Sequence, residues 1–143
     1  MLTIIFEGIV ITGGNDGGGT LTTTELFNPS TGKSCSIKDL PMNRIHHTLD
    51  QLEDGSLVAC GGGTSSNTRK TCVRFGGSAP HGEWTDYSTL VYNRYGHTSF
   101  VSQGKILLMG GEGSRKTTEL VGEGEKYNLQ QNTTLVKCYC SSY

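Results

Sequence analysis

Three times in this chain, four mainly apolar residues run into a pair of glycines: Ile9-Val10-Ile11-Thr12-Gly13-Gly14, Leu57-Val58-Ala59-Cys60-Gly61-Gly62 and Ile106-Leu107-Leu108-Met109-Gly110-Gly111. The pairs ending at Gly14, Gly62 and Gly111 lie 48 and 49 residues apart. A fixed period of this length means that the chain is a series of like units, each too small to bury its own faces. Local structure is therefore read within the unit first.

Other positions keep the same step. Leu40-x-x-Asn43-Arg44-x-x-His47-Thr48 returns as Leu90-x-x-Asn93-Arg94-x-x-His97-Thr98 without a gap, and Gly32 returns as Gly82. Ahead of each glycine pair stands a turn dipeptide, Glu7-Gly8, Asp54-Gly55 or Gln103-Gly104. Beyond each pair comes a second β-type segment: Thr24-Glu25-Leu26-Phe27, Thr71-Cys72-Val73-Arg74-Phe75 and Thr118-Glu119-Leu120-Val121. Each unit thus reads as four short strands. The first follows Arg-x-x-His-Thr, the second ends at the glycine pair, the third follows a polar loop, and the fourth carries Trp84 in the middle unit. No stretch sustains a 3.6-residue apolar period, so no helix is expected. Composition agrees: 21 glycines in 143 residues is about twice the usual share of roughly 7%, and 34% apolar residues are too few for one thick core. A four-stranded antiparallel unit repeated at this spacing is the pattern of a β-propeller blade.

The apolar strand ending in Gly-Gly, the aromatic or apolar residue about eight to thirteen positions later and Trp84 some twenty positions beyond the pair resemble kelch repeats. So does Phe27-Asn28-Pro29-Ser30-Thr31-Gly32-Lys33. The resemblance runs from the second strand of one repeat to the first strand of a fourth. It implies an all-β fold, an incomplete β-propeller of four-stranded antiparallel kelch-type blades. The blades divide as 1–39, 40–89 and 90–130, with 131–143 the start of a fourth or a tail. Ser34 and Cys35 stand where the first repeat calls for tryptophan, and Val121 where the third calls for an aromatic residue. Closed propellers hold about four to eight blades. Roughly three are written here, which reads as a portion of a longer propeller; two copies closing one ring, and an open arc, are the alternatives.

Few residues suggest chemistry. Cys60 and Cys72 flank a hairpin loop and can face each other across a strand pair. They form either a disulfide, with Cα atoms about 5.5–6 Å apart and an oxidising compartment, or two small buried thiols. Cys138-Tyr139-Cys140 does not have zinc-ligand spacing. Asn132-Thr133-Thr134 is a glycosylation triplet. His47 and His97 recur at one place in the unit, which favours a structural role over a metal site, and His81 reads as a loop residue. Arg44 and Arg94 recur as well. Each either satisfies carbonyls or a carboxylate near the start of a first strand, or lies on a binding face where a guanidinium fork takes an acidic ligand. Glu25 and Glu119 carry the same two readings.

No nucleophile elbow, P-loop, dinucleotide fingerprint or zincin pattern is present, so the expectation is no catalytic residue, no metal and no cofactor. A net charge of −1 gives no basic surplus for nucleic acid, and no apolar run nears the roughly 20 residues of a membrane span. The kelch resemblance implies a non-catalytic scaffold whose loops, 15–22, 63–70 and 112–116, bind another protein or join the rest of its own propeller. The same resemblance reaches galactose oxidase, and a fragment of such a copper enzyme is the alternative function; its tyrosine, histidine and cross-linked cysteine set cannot be assigned here. The N-terminal apolar run lacks a basic start and reads as two strands rather than an export signal. The compartment is extracellular if the cysteines are paired and an export signal lies outside this sequence, cytoplasmic otherwise.

Overall fold

A computed structural model describes residues 2–5, 8–64, 67–77, 81–113, 117–123 and 125–128. These residues form three four-stranded antiparallel sheets and a small hairpin, and among them there is no helix. The first sheet contains β1 (Leu2–Ile5), β2 (Gly8–Thr12), β3 (Thr24–Asn28) and β4 (Lys33–Ser36), in chain order. The second contains β5 (Thr48–Gln51), β6 (Leu57–Cys60), β9 (Thr71–Gly76) and β10 (Glu83–Thr89), interrupted between β6 and β9 by the hairpin of β7 (Gly63–Thr64) and β8 (Asn67–Thr68). The third contains β11 (Thr98–Ser102), β12 (Lys105–Met109), β13 (Thr118–Gly122) and β14 (Glu125–Asn128). Leu2–Ile5 supplies a first strand to the first sheet, where the repeat alignment begins that unit at its second strand. Segment 131–143, with Cys138, Cys140 and the glycosylation triplet, lies outside the described residues.

The turns follow from side chains that supply hydrogen bonds locally. Asn28 Oδ1 accepts from the backbone N–H of Ser30 and Thr31, at 2.9 and 3.1 Å, and so closes the β3–β4 hairpin. In the β5–β6 turn the Asp54 carboxylate accepts from the Ser56 N–H at 3.0 Å. Gln103 (φ 52°) and Gly104 (φ 69°) are both left-handed, as a two-residue hairpin turn of the mirror type requires.

Strand alternation explains how the three sheets pack. In β6, Leu57 and Ala59 point to the first sheet while Val58 and Cys60 point to the third, so all four are buried. Between the first and second sheets lie Val10, Ile37 and Leu40 against Leu49, Leu57, Ala59, Val73 and Phe75. Between the second and third lie Val58, Cys60, Cys72 and Tyr87 against Ile106, Leu108 and Val121. Trp84 packs at the first of these seams, its ring 5.3 Å from that of Phe75 and its indole N–H donating to the Lys38 carbonyl at 2.8 Å. No aromatic residue takes the matching place in the first sheet, where β4 is exposed throughout. First strands are neighbours, with β5 touching both β1 and β11.

The outer faces of the end sheets have no sheet against them among the described residues. In the first sheet Ile11 is 42% exposed, on the side opposite Val10. In the third, Phe100 is 62% exposed and sits in register with Leu107, on the side opposite Ile106 and Leu108.

Candidate functional site

The connections that leave the second strand of each sheet, and those that lead from the first sheet to the second and from the second to the third, meet along one edge among the described residues, and the glycine pairs let them do so. A Cβ on Gly61 (φ 63°) would stand 2.7 Å from the Arg94 carbonyl oxygen, and one on Gly62 (φ 93°) 2.8 Å from the Ile45 carbonyl oxygen. Any other residue would push the connection away. With the connections this close, backbone bonds run from one unit to the next. Gly14 N–H donates to the Arg44 carbonyl at 2.8 Å, and Gly62 N–H to the Arg94 carbonyl at 2.9 Å.

The arginine side chains reach the opposite way. Arg44 Nη1 donates to the carbonyls of Gly61 and Thr71, at 2.7 and 2.9 Å, and its Nη2 donates to the Thr71 hydroxyl at 2.8 Å. Arg94 repeats this one sheet further on, donating to the carbonyls of Gly110 and Thr117 at 2.9 and 3.3 Å and to the Thr117 hydroxyl at 2.9 Å. It also pairs with the Glu119 carboxylate. Glu119 in turn accepts from the backbone N–H of Val91 and Tyr92, at 2.6 and 3.2 Å. Each arginine is therefore a stitch: its carbonyl holds the glycine pair of one sheet, and its guanidinium holds the strand ends of the next.

Both guanidinium groups are fully buried, at 0% exposure. The placement of Arg44 and Arg94 on a binding face is thus corrected. Their Nη donors are spent on strand-end carbonyls and threonine hydroxyls, while each Nε is buried without a hydrogen-bond partner among the described residues. Burial draws Arg44 down to about 10, still charged at neutral pH. Glu25 and Glu119, alike in sequence, part company: Glu119 is buried under the second unit's connection, whereas Glu25 is exposed on the outer side of the first sheet.

Cys60 and Cys72 face each other in the β6–β9 register and form a disulfide, with the Cα atoms 4.1 Å apart, closer than expected. The matching place in the first sheet holds Thr12 and Thr24, whose hydroxyls hydrogen-bond at 2.9 Å. Cys35 is an exposed free thiol.

His47 and His97 are buried beside the glycine pairs. His97 Nε2 meets the Thr48 hydroxyl at 3.1 Å, while neither ring nitrogen of His47 has a hydrogen-bond partner among the described residues. Desolvation pushes His47 down to about 3; desolvation, with the Arg94 charge behind it, pushes His97 down to about 4. Both are therefore neutral in the fold and take up protons more readily once unfolded. The stability they confer is complete above the ordinary histidine value of 6.5 and is lost as pH falls from there toward 4 and then 3. Each tenfold difference in proton affinity between the folded and unfolded chain is worth roughly 1.4 kcal/mol, so the pair should cost the fold several kcal/mol by about pH 4. Asp50, raised by burial, works in the opposite sense, since its contribution is lost as pH rises through its folded value. Urea midpoints should hold from about pH 7.5 to about 6.5 and fall from there down to about 4.5; a flat profile throughout would mean that the imidazoles titrate normally.

At the same edge, a cleft of about 380 Å³ opens at the seam of the second and third units, lined by His46, Tyr95, Gly96, Gly111 and Glu112. The rings of His46 and Tyr95 are 6.3 Å apart. His46 holds a left-handed backbone (φ 56°) at the place that Gly96 (φ 62°) fills one repeat later. A histidine thus stands where glycine is the unstrained choice, and repeat spacing alone does not single it out. On the opposite edge, Arg74 bridges Asp54 and Glu123, the latter at 3.2 Å, across a second cleft of about 260 Å³ floored by Tyr87. His81 is an exposed loop residue. Among the described residues, no group of three or more His, Cys, Asp or Glu is placed to hold a metal ion.

The chain is an all-β protein of repeated four-stranded antiparallel sheets. No family model matches it, and no curated protein does. Among solved structures it is similar to YjhT, with a TM-score of 0.71 at 15% identity over 89% of this chain and 50% of that one. The likeness is one of fold, and the chain spans half the length of YjhT.

Proposed function

We propose that these residues are a three-blade portion of a kelch-type β-propeller and that it works as a non-catalytic protein-interaction scaffold. One observation carries the reading: three like sheets, joined by the same arginine stitch, bring their connecting loops to a single edge. Such an edge is rigid beneath and variable above, which suits recognition. The loops differ in content from unit to unit, whereas the stitched residues beneath them recur. The apolar outer faces around Ile11 and Phe100 fit a body that continues into further blades, whether from the rest of the same propeller or from a second copy closing the ring.

The test uses a photo-reactive residue at position 46, which is exposed at the cleft. A defined protein cross-linked there, displaced by unlabelled chain and lost on Tyr95→Ala, supports the scaffold. Stoichiometric copper that survives EDTA, with no protein captured, would overturn it in favour of the galactose-oxidase-like alternative.

A further inference from the structure

The stitch recurs, and recurrence locates a third copy of its receiving end. In the second sheet, the groups that take Arg44 are the Gly61 carbonyl and the carbonyl and hydroxyl of Thr71. In the third they are the Gly110 carbonyl, Thr117 and Glu119, which take Arg94. These threonines are fixed in the fold by a bond common to every unit: Gly61 N–H donates to the Thr71 carbonyl at 3.1 Å, and Gly110 N–H to that of Thr117 at 3.1 Å. The first sheet has the same bond, from Gly13 N–H to the Thr23 carbonyl at 2.9 Å. Thr23 is thus the counterpart of Thr71 and Thr117, and Glu25, two residues on, is the counterpart of Val73 and Glu119.

Thr23 and Glu25 are both exposed. They lie on the outer side of the first sheet, where Glu25 is in register with Ile11, itself 42% exposed. The apolar surroundings match as well. Phe27, two residues beyond Glu25, is the counterpart of Phe75 and Val121, which are buried beneath the preceding sheet in their own units. A carboxylate, a threonine and a strand-end carbonyl set among apolar side chains are the parts that elsewhere in this chain hold a guanidinium.

We propose that Gly13, Thr23 and Glu25 form a receiving site for an arginine side chain, brought by a further repeat unit of this same kind through an Asn-Arg-x-x-His-Thr connection. The proposal rests on the repeat reading above and names the chemistry of its neighbour. Arginine is specified over lysine. In both filled sites the planar fork reaches two carbonyls and a hydroxyl at once, which a point charge on a flexible stem does not reproduce. Of the three sites, those in the first and third sheets carry a carboxylate, so binding at Glu25 is charge-assisted as it is at Glu119.

The probe is an acetylated nine-residue peptide with the sequence of residues 90–98, titrated into the ¹⁵N-labelled full chain. Saturable shifts centred on Gly13, Thr23 and Glu25 are expected. Affinity should fall at least tenfold with Glu25→Gln, and as much when the peptide's arginine is replaced by alanine or lysine. Glu25 is exposed, so its variant keeps the fold. Shifts elsewhere, no shifts up to millimolar peptide, or indifference to the arginine would overturn the proposal. So would a chain already dimeric whose own copy covers Thr23 and Glu25, since Arg44 and Arg94 of that copy are already spent within it. The underlying reading is judged separately, by whether Arg94→Ala destabilises the chain. A stitch-dependent chain that ignores the peptide sinks this inference alone, and a chain indifferent to Arg94 sinks both.

Discussion

Replacing Arg94 by alanine should cost the fold about 3–5 kcal/mol, the penalty for stranding a buried charge, because Glu119 stays at 0% exposure with no cation beside it. The Gly110 carbonyl also loses the Arg94 donor, and the Thr117 carbonyl keeps only the N–H of Gly110. Arg44→Ala should cost distinctly less. It removes a donor only from two carbonyls, one of which keeps the Gly61 N–H, and from a hydroxyl, since Val73 occupies the place that Glu119 takes in the third sheet. A paired replacement, Arg94→Met with Glu119→Leu, should recover much of the loss, because an apolar pair of similar volume avoids desolvating two charges. Urea denaturation of the three variants checks the order. Equal losses for Arg94→Ala and Arg44→Ala would show that the carboxylate adds nothing to the stitch.

Reducing the Cys60–Cys72 bridge is the second large effect. Opening a cross-link between residues 12 apart in sequence frees loop entropy worth roughly 3 kcal/mol in the unfolded chain. Two replacements separate cross-link from packing. Cys60→Ala with Cys72→Ala loses both the bridge and buried volume between the second and third sheets. Cys60→Thr with Cys72→Thr copies the pair that Thr12 and Thr24 make at the matching place in the first sheet. Thermal stability should therefore rank native, then the threonine pair, then the alanine pair. An alanine pair as stable as the native chain, or a native chain unmoved by reductant, would contradict it.

Much of this architecture was legible as spacing. The apolar runs, the turns ahead of them and the glycine pairs recur visibly, and backbone geometry permits few alternatives to a hairpin ending at a close crossing. Burial was harder to read because it depends on which sheet lies alongside. Ile11 and Ala59 hold the same place in their units, yet one is 42% exposed and the other 0%. Glu25 and Glu119 diverge for the same reason. The arginines recur for a reason that spacing leaves open, since an inward guanidinium and an outward one leave the same trace in sequence. Only the bond from the Arg44 guanidinium to the Gly61 carbonyl, at the end of β6, distinguishes them. His46 escapes a repeat comparison because what sets it apart is conformational: it takes the backbone of a glycine while its counterpart Gly96 is one.

The arginine stitch also means that the covalent unit and the mechanical unit are out of phase. The segment from Pro41 to His47 precedes the second sheet in the chain, yet its guanidinium completes that sheet while its carbonyl closes the first. Anyone dissecting this protein into autonomous pieces at strand boundaries would cut every piece from its own fastener. A fragment started at Thr48 leaves the ends of β6 and β9 without Arg44, whereas one started at Leu40 carries it along.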